Sequence, residues 1–261
     1  MTIAKTTRDV RTTGSPWIRR FHTAVRPQDA PVLVVLPHAG GNASFYFPIS
    51  RDLAPHAEVL TVQYPGRQDR FGEPSPETVT GLVDEVERAL RPWLGRPLVL
   101  FGHSMGAVLA FELTRRLERA GTPPRGLVLS GRRSPLLPEE GNTHIEGDDA
   151  LLARLGELSG TDPQLLADPD FRELILPSLR SDYKAIETYR YEPGPPLSTP
   201  VSVLCGQSDP RASLAGSMDW RQLTGAAFTF RSFPGGHFYL AEQHDAVVRA
   251  LTEDLSAFAG A

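Results

Sequence analysis

The sequence predicts an α/β protein, with a mostly parallel central sheet flanked by helices and a helical insertion near its middle. Three observations point there. Strand-length apolar runs recur through the 261 residues with helical stretches between them. Those runs are continuous rather than alternating, as strands buried on both faces are. One of them, Pro97-Leu98-Val99-Leu100-Phe101, leads through Gly102-His103-Ser104-Met105-Gly106 directly into the helical pattern of residues 107–113.

In chain order, residues 17–21 offer a first strand, followed by strands at 32–36, 59–63, 98–101, 126–130, 201–205 and 228–233. Between the second and third central runs, residues 78–94 place Val79, Leu82, Val83, Val86, Leu90 and Trp93 at helical spacing, which predicts a helix covering the sheet. Residues 246–258 close the chain as an amphipathic helix. The alternation breaks between about 135 and 199, where Pro135 and Pro138 at one end and Pro193, Pro195, Pro196 and Pro200 at the other bracket helical patterns. An inserted lid is the expectation there, with helices over 149–158 and 170–191. Pro177 is expected to kink or divide the second. Its apolar row of Phe171, Leu174, Ile175, Leu179, Tyr183, Ile186 and Tyr189 is suited either to lining an acyl channel or to seating the lid on the sheet. Residues 1–16, rich in Thr and Arg, are expected to be a flexible tail, leaving 17–261 as one domain.

Composition narrows the function. A net charge of -4 lacks the basic excess of a nucleic-acid or anionic-membrane binder. No run reaches the length of a membrane span or a secretory core, so a cytoplasmic protein is expected. The single cysteine, Cys205, sits inside an apolar run, and a buried, unreactive thiol is expected there.

The chemistry is carried by the segment around Ser104. A strand, a sharp turn and a helix make a nucleophile elbow, which exposes a serine hydroxyl at the top of a sheet. The turn brings strand and helix backbones too close for side chains at Gly102 and Gly106. Serine is a poor nucleophile at neutral pH, so it needs a base, and the base needs an orienting carboxylate. After the run ending at Cys205 comes Gly206-Gln207-Ser208-Asp209-Pro210, and after the last strand comes Pro234-Gly235-Gly236-His237-Phe238. Asp209 and His237 thus fall beyond carboxyl ends of strands, where open α/β sheets build their sites. An oxyanion hole takes one amide from Met105 and a second from Leu36-Pro37-His38-Ala39-Gly40-Gly41, where Ala39 is the choice and Gly40 the alternative. His38 either shapes that loop or touches the acyl entrance, and Tyr183 and Ile186 are the candidate substrate contacts. His103 is expected to pack within the elbow, while His22, His56, His144 and His244 are expected at the solvated surface. No metal site is expected.

These segments, with Gln63-Tyr64-Pro65-Gly66-Arg67, Arg70-Phe71, Phe111-Glu112-Leu113 and Ser130-Gly131-Arg132, resemble the stand-alone type II thioesterases of polyketide and non-ribosomal peptide synthesis, within the α/β-hydrolase superfamily. The resemblance runs from about residue 17 to the end and departs at no catalytic position. It implies a serine thioesterase; a monomer without a cofactor of its own is expected. Its substrate is carried on the phosphopantetheine arm of an acyl or peptidyl carrier protein, and stalled or aberrant acyl groups are removed. The competing expectations are a generic carboxylesterase or lipase on free oxygen esters, and a binding module that kept the fold without catalysis. Arg67, Arg70, Arg132 and Arg133 fall in loops near the expected site, where they either dock an acidic carrier or pair within the chain.

Overall fold

In the computed structural model, which describes residues 11–12, 14–23, 29–137, 141–159 and 163–259, successive side chains of the central strands split the core into two halves. The strands are β1 (Arg11–Thr12), β2 (Ile18–Arg20), β3 (Val32–Leu36), β4 (Glu58–Val62), β5 (Leu98–His103), β6 (Gly126–Ser130), β7 (Val201–Gly206) and β8 (Phe228–Phe233), ordered β1-β2-β4-β3-β5-β6-β7-β8 across one sheet. β3 to β8 pair in parallel, whereas β2 runs antiparallel to β4 and β1 antiparallel to β2. Within the expected tail, Arg11 and Thr12 therefore form an edge strand held against β2; residues 1–10 and 13 lie outside the described residues.

The helices are α1 (Phe47–Leu53), α2 (Val79–Leu90), α3 (Met105–Arg119), α4 (Asp148–Ser159), α5 (Pro163–Ala167), α6 (Pro169–Glu187), α7 (Leu214–Met218), α8 (Tyr239–Glu242) and α9 (His244–Ala259). Val32, Val34, Leu36, Leu98, Leu100, Leu127, Leu129 and Val203 join α2 and α3 in one apolar cluster. The intervening Leu33, Val35, Val99, Phe101, Val128 and Leu204 join Ile49 and Leu53 of α1 and Val247, Leu251, Leu255 and Phe258 of α9 in the other. Period-two side chains on a parallel sheet require a helical layer on each face.

α2 starts where Thr78 accepts a hydrogen bond from the Gly81 N–H at 3.1 Å, an N-cap. It ends at Leu90, short of residue 94, because Pro92 has no N–H to extend it; residues 91–93 continue as a 3-10 turn. The insertion between β6 and β7 is helical, and Pro138 in it lies outside the described residues. The expectation that Pro177 divides the second helix is corrected: α6 runs unbroken through it. Proline deletes one bond of the ladder, while Ser178 Oγ donates to the Ile175 carbonyl and Ser181 Oγ to the Pro177 carbonyl, each at 3.0 Å. The buried side of Leu179, Asp182, Tyr183 and Ile186 holds the helix to the body of the protein. α6 stops at Glu187 rather than 191, where Arg190 Nη1 donates to the Glu187 carbonyl at 2.7 Å. Among the described residues no helix is long and apolar enough to cross a membrane.

Candidate active site

Ser104 occupies the one-residue turn between β5 and α3 with φ 55° and ψ -115°, a backbone conformation that non-glycine residues rarely adopt. The flanking glycines make it achievable. A Cβ on Gly102 would lie 2.0 Å from the Gly106 carbonyl oxygen, and one on Gly106 would lie 2.0 Å from that of Leu36. The turn is anchored sideways by the Ser104 N–H, which donates to the Ser130 carbonyl at 2.8 Å.

Asp209 and His237 follow the carboxyl ends of the neighbouring strands β7 and β8. Both are buried, and His237 Nδ1 donates to Asp209 Oδ2 at 2.8 Å. The other Asp209 oxygen accepts from the Arg211 N–H at 2.8 Å, which fixes the carboxylate plane. With Nδ1 donating, the lone pair of His237 is on Nε2. Ser104 and His237 line the same cavity, and among the described residues no hydrogen bond yet joins them. Such bonds are often long in a substrate-free site and tighten when substrate arrives.

Beneath His237 lies the His103 ring, with centroids 5.0 Å apart. His103 Nδ1 is 2.8 Å from Ser130 Oγ, which is 2.7 Å from the Tyr239 hydroxyl. Burial, then the charges of His237 and His38, hold the His103 pKa well below the usual imidazole range, so this ring stays neutral. His38 is similar: burial first, then the charges of His237 and Arg67, lowers it to about 3. Its Nδ1 sits 2.9 Å from the Tyr46 hydroxyl, and its ring meets Phe45 and Phe238 edge-on.

The loop after β3 separates the two amide alternatives. The Gly40 N–H is already committed to Asp182 Oδ2 at 2.8 Å, and the Gly41 N–H donates to the His38 carbonyl at 3.0 Å. Among the described residues, the amides of Ala39 and Met105 meet no protein acceptor. Both residues line the cavity with His38, Ser104, His237, Phe238, Tyr183 and Ile186. Its volume is about 30 Å³, room for about two waters.

Of the arginines considered for docking, Arg67 and Arg70 are buried and paired within the chain. Arg67 meets Asp182 through two bonds of 2.9 and 3.0 Å, and Arg70 meets Glu73 at 2.7 Å with its guanidinium 4.7 Å from the Trp17 ring. Three histidines expected at the solvated surface have partners instead. His144 contacts Glu187 at 2.7 Å, His244 contacts Asp52 at 2.7 Å, and His22 contacts Ser50 at 3.2 Å; His56 is exposed. Cys205 is buried in β7, with its thiol pushed up to about 11 by burial and then by the Asp209 charge. Among the described residues, no cluster of His, Cys, Asp and Glu has the form of a metal site.

Sequence reasoning missed Asp182. A signal was present: it lies three residues after Leu179 and four before Ile186, on the apolar stripe of α6, where a carboxylate needs a partner.

A mostly parallel sheet with an elbow serine and an acid–histidine pair beyond its strand ends defines the α/β-hydrolase class. Residues 31–255 match the thioesterase domain family, and the chain belongs to that family. It is 47% identical to thioesterase PikA5 of Streptomyces venezuelae, over 98% of this chain and 91% of that one. It is 44% identical to a probable cadicidin biosynthesis thioesterase of Streptomyces griseus, over 93% of this chain and 67% of the relative. The solved type II thioesterase BorB, from the borrelidin biosynthetic cluster, superposes with a TM-score of 0.86 at 44% identity, covering 94% of this chain and all of that one.

Proposed function

We propose that this protein hydrolyses acyl groups from the phosphopantetheine arm of acyl or peptidyl carrier proteins, with Ser104 as nucleophile, His237 as base and Asp209 as the group that orients it. The observation that carries this reading is the buried Asp209–His237 hydrogen bond of 2.8 Å, at a cavity shared with a serine held in a strained turn. In this scheme His237 Nε2 takes the Ser104 proton as Oγ attacks the thioester carbonyl carbon. The carbonyl π electrons move to oxygen, where the Ala39 and Met105 amides receive the negative charge. Collapse breaks the C–S bond. Because a thiol of pKa near 8.5 leaves readily as thiolate, little acid assistance is needed, and the proton held on His237 Nε2 passes to the departing sulfur, which restores the free base. Water then enters, His237 takes its proton, the hydroxide oxygen attacks the acyl-serine, and collapse returns the proton to Ser104 Oγ with release of the free acid.

The insertion would serve as a lid, with Tyr183, Ile186 and His38 contacting the acyl group. No protein-bound cofactor enters the scheme. The relatives, thioesterases of biosynthetic clusters and of an NRPS/PKS pathway, support a place in polyketide or non-ribosomal peptide assembly. Our reading is that the enzyme works there as a cytoplasmic monomer that clears stalled or aberrant intermediates.

Two comparisons test this. Ser104→Ala should lower turnover of an acyl-carrier thioester by about 10⁴-fold or more; an unchanged rate sinks the acyl-serine. The parent enzyme should also prefer acyl-carrier protein over an oxygen ester of the same acyl group at equal concentration. The reverse preference makes it a general esterase, and no turnover of either makes it a binding module.

A further inference from the structure

The residues 38–41 form a tight turn, closed by the Gly41 N–H on the His38 carbonyl at 3.0 Å, with Gly40 at φ 71° in its third position. Positive φ there selects the type II form, in which the orientation of the central peptide between Ala39 and Gly40 distinguishes it from type I. A flip of that peptide would turn the Gly40 N–H away from Asp182 and toward the opposite side of the turn, while the Ala39 N–H, which belongs to the preceding peptide, keeps its aim only as long as the turn stays closed. One side chain holds the peptide in place. Asp182 Oδ2 accepts from the Gly40 N–H at 2.8 Å, and Asp182 is fully buried.

A bare carboxylate this close to a developing oxyanion would oppose it. Arg67 removes the objection: its Nη1 and Nη2 meet Asp182 Oδ2 and Oδ1 at 2.9 and 3.0 Å, a two-pronged pair. The same Nη1 donates to the Gly41 carbonyl at 2.9 Å, and Nε donates to the Pro65 carbonyl at 3.1 Å. Both faces of the turn are therefore held, its Gly40 N–H by the acid and its Gly41 C=O by the base. A Cβ on Gly40 would lie 2.8 Å from Leu179 Cδ1, so α6 also fills the space behind the turn.

We propose that Asp182, neutralised by Arg67, is a positioning residue for acyl transfer, locking the 38–41 turn so that Ala39 rather than Gly40 presents its N–H to the oxyanion. The inference rests on the acyl-serine reading above. It deepens that reading by tying oxyanion geometry to the seating of α6, since Asp182 belongs to the insertion and the turn to the sheet.

Two double variants avoid leaving a buried charge alone. Arg67→Met/Asp182→Leu keeps the volume and removes the acceptor; Arg67→Gln/Asp182→Asn is equally neutral and keeps an oxygen that the Gly40 N–H can reach. Turnover of a short-chain acyl N-acetylcysteamine thioester is measured per active site, counted by fluorophosphonate labelling of Ser104 run to completion. The apolar pair should lose about a hundredfold in kcat with KM within about threefold. The polar pair should stay within about fivefold of the parent, a rescue that general loosening of the fold would not produce. Inhibition by an alkyl boronic acid, which forms a tetrahedral anion on the serine, should weaken in proportion to kcat, while binding of the free carboxylic acid product should hold. The proposal is overturned if the apolar pair matches the parent in kcat, if both pairs fall equally, or if the whole loss is in KM. Ser104→Ala in the same assay separates the two readings. Its inactivity leaves these outcomes to judge Asp182 alone, whereas parental turnover removes the acyl-serine and this proposal together.

Discussion

In the proposed mechanism Asp209 acts on the chemistry through which nitrogen of His237 keeps its proton. An aspartate 2.8 Å from Nδ1 favours the tautomer with its lone pair on Nε2 and stabilises the imidazolium formed when Ser104 is deprotonated. Asp209→Asn is nearly isosteric, but its amide can donate to Nδ1 and so stabilise the opposite tautomer. The expected result is a fall of about 10⁴-fold in kcat with an unchanged fold, checked by thioester turnover beside a thermal melt. A kcat within about tenfold of the parent would make Asp209 a turn cap only. Its bond to the Arg211 N–H shows that the capping role exists as well. At this scale the three catalytic candidates were legible in the sequence because each adjoins a strand end within a few residues. The partners of His144, Arg67 and Asp182 were not, because pairings such as that between Arg67 and Asp182 span 115 positions and depend on how the insertion seats.

α6 contributes Tyr183 and Ile186 to the wall of the cavity. Leu151, Leu179 and Tyr183 form a small buried cluster against which Ala39 and Leu155 pack, so the cavity and the loop proposed to hold the oxyanion share a wall. A cavity of about 30 Å³ must expand to admit an acyl chain. Cutting back the Tyr183 side chain that lines it should relax the limit on length: Tyr183→Ala is expected to raise the ratio of octanoyl to propionyl kcat/KM by about tenfold. Measuring a ratio of two substrates on one preparation cancels any loss of folded enzyme, and an unchanged ratio would remove Tyr183 from the acyl path. The sequence read β3 to β7 to within a residue or two because burial on both faces leaves unbroken apolar runs, and it missed the two-residue edge strand β1. Of the two outcomes expected at Pro177, a kink or a division, the division does not occur: Ser178, Ser181 and tertiary burial outweigh one missing backbone bond. Of the apolar row, Tyr183 and Ile186 reach the cavity whereas Leu174 is exposed, a division that helical spacing alone does not make.

Across the whole molecule, the sheet's carboxyl edge gathers His38, His103 and His237 into one buried cluster of rings, His38 meeting His103 edge-on with centroids 5.8 Å apart. Concentrating imidazoles there ties the global stability of the fold to pH. His38 is lowered to about 3 by burial, and His103 is lowered in the same direction, whereas an unfolded chain protonates histidine near pH 6.5. Between those values the unfolded state binds the extra proton, so stability rises with pH through this window and is complete above it. As pH falls from 8 to 5, His38 alone should withdraw about 2 kcal/mol, with His103 adding to the loss. His38→Gln removes the proton site and keeps a side chain able to bond the Tyr46 hydroxyl. Its stability, measured by denaturant unfolding at both pH values, should lie below the parent's at pH 8 and recover about 2 kcal/mol relative to it at pH 5. A gap that stays constant between the two pH values would mean that His38 is not held neutral by the fold. The readout is independent of turnover, since unfolding is measured without substrate, and so separates the cost of burying the histidine cluster from the role proposed for His237 beside Ser104.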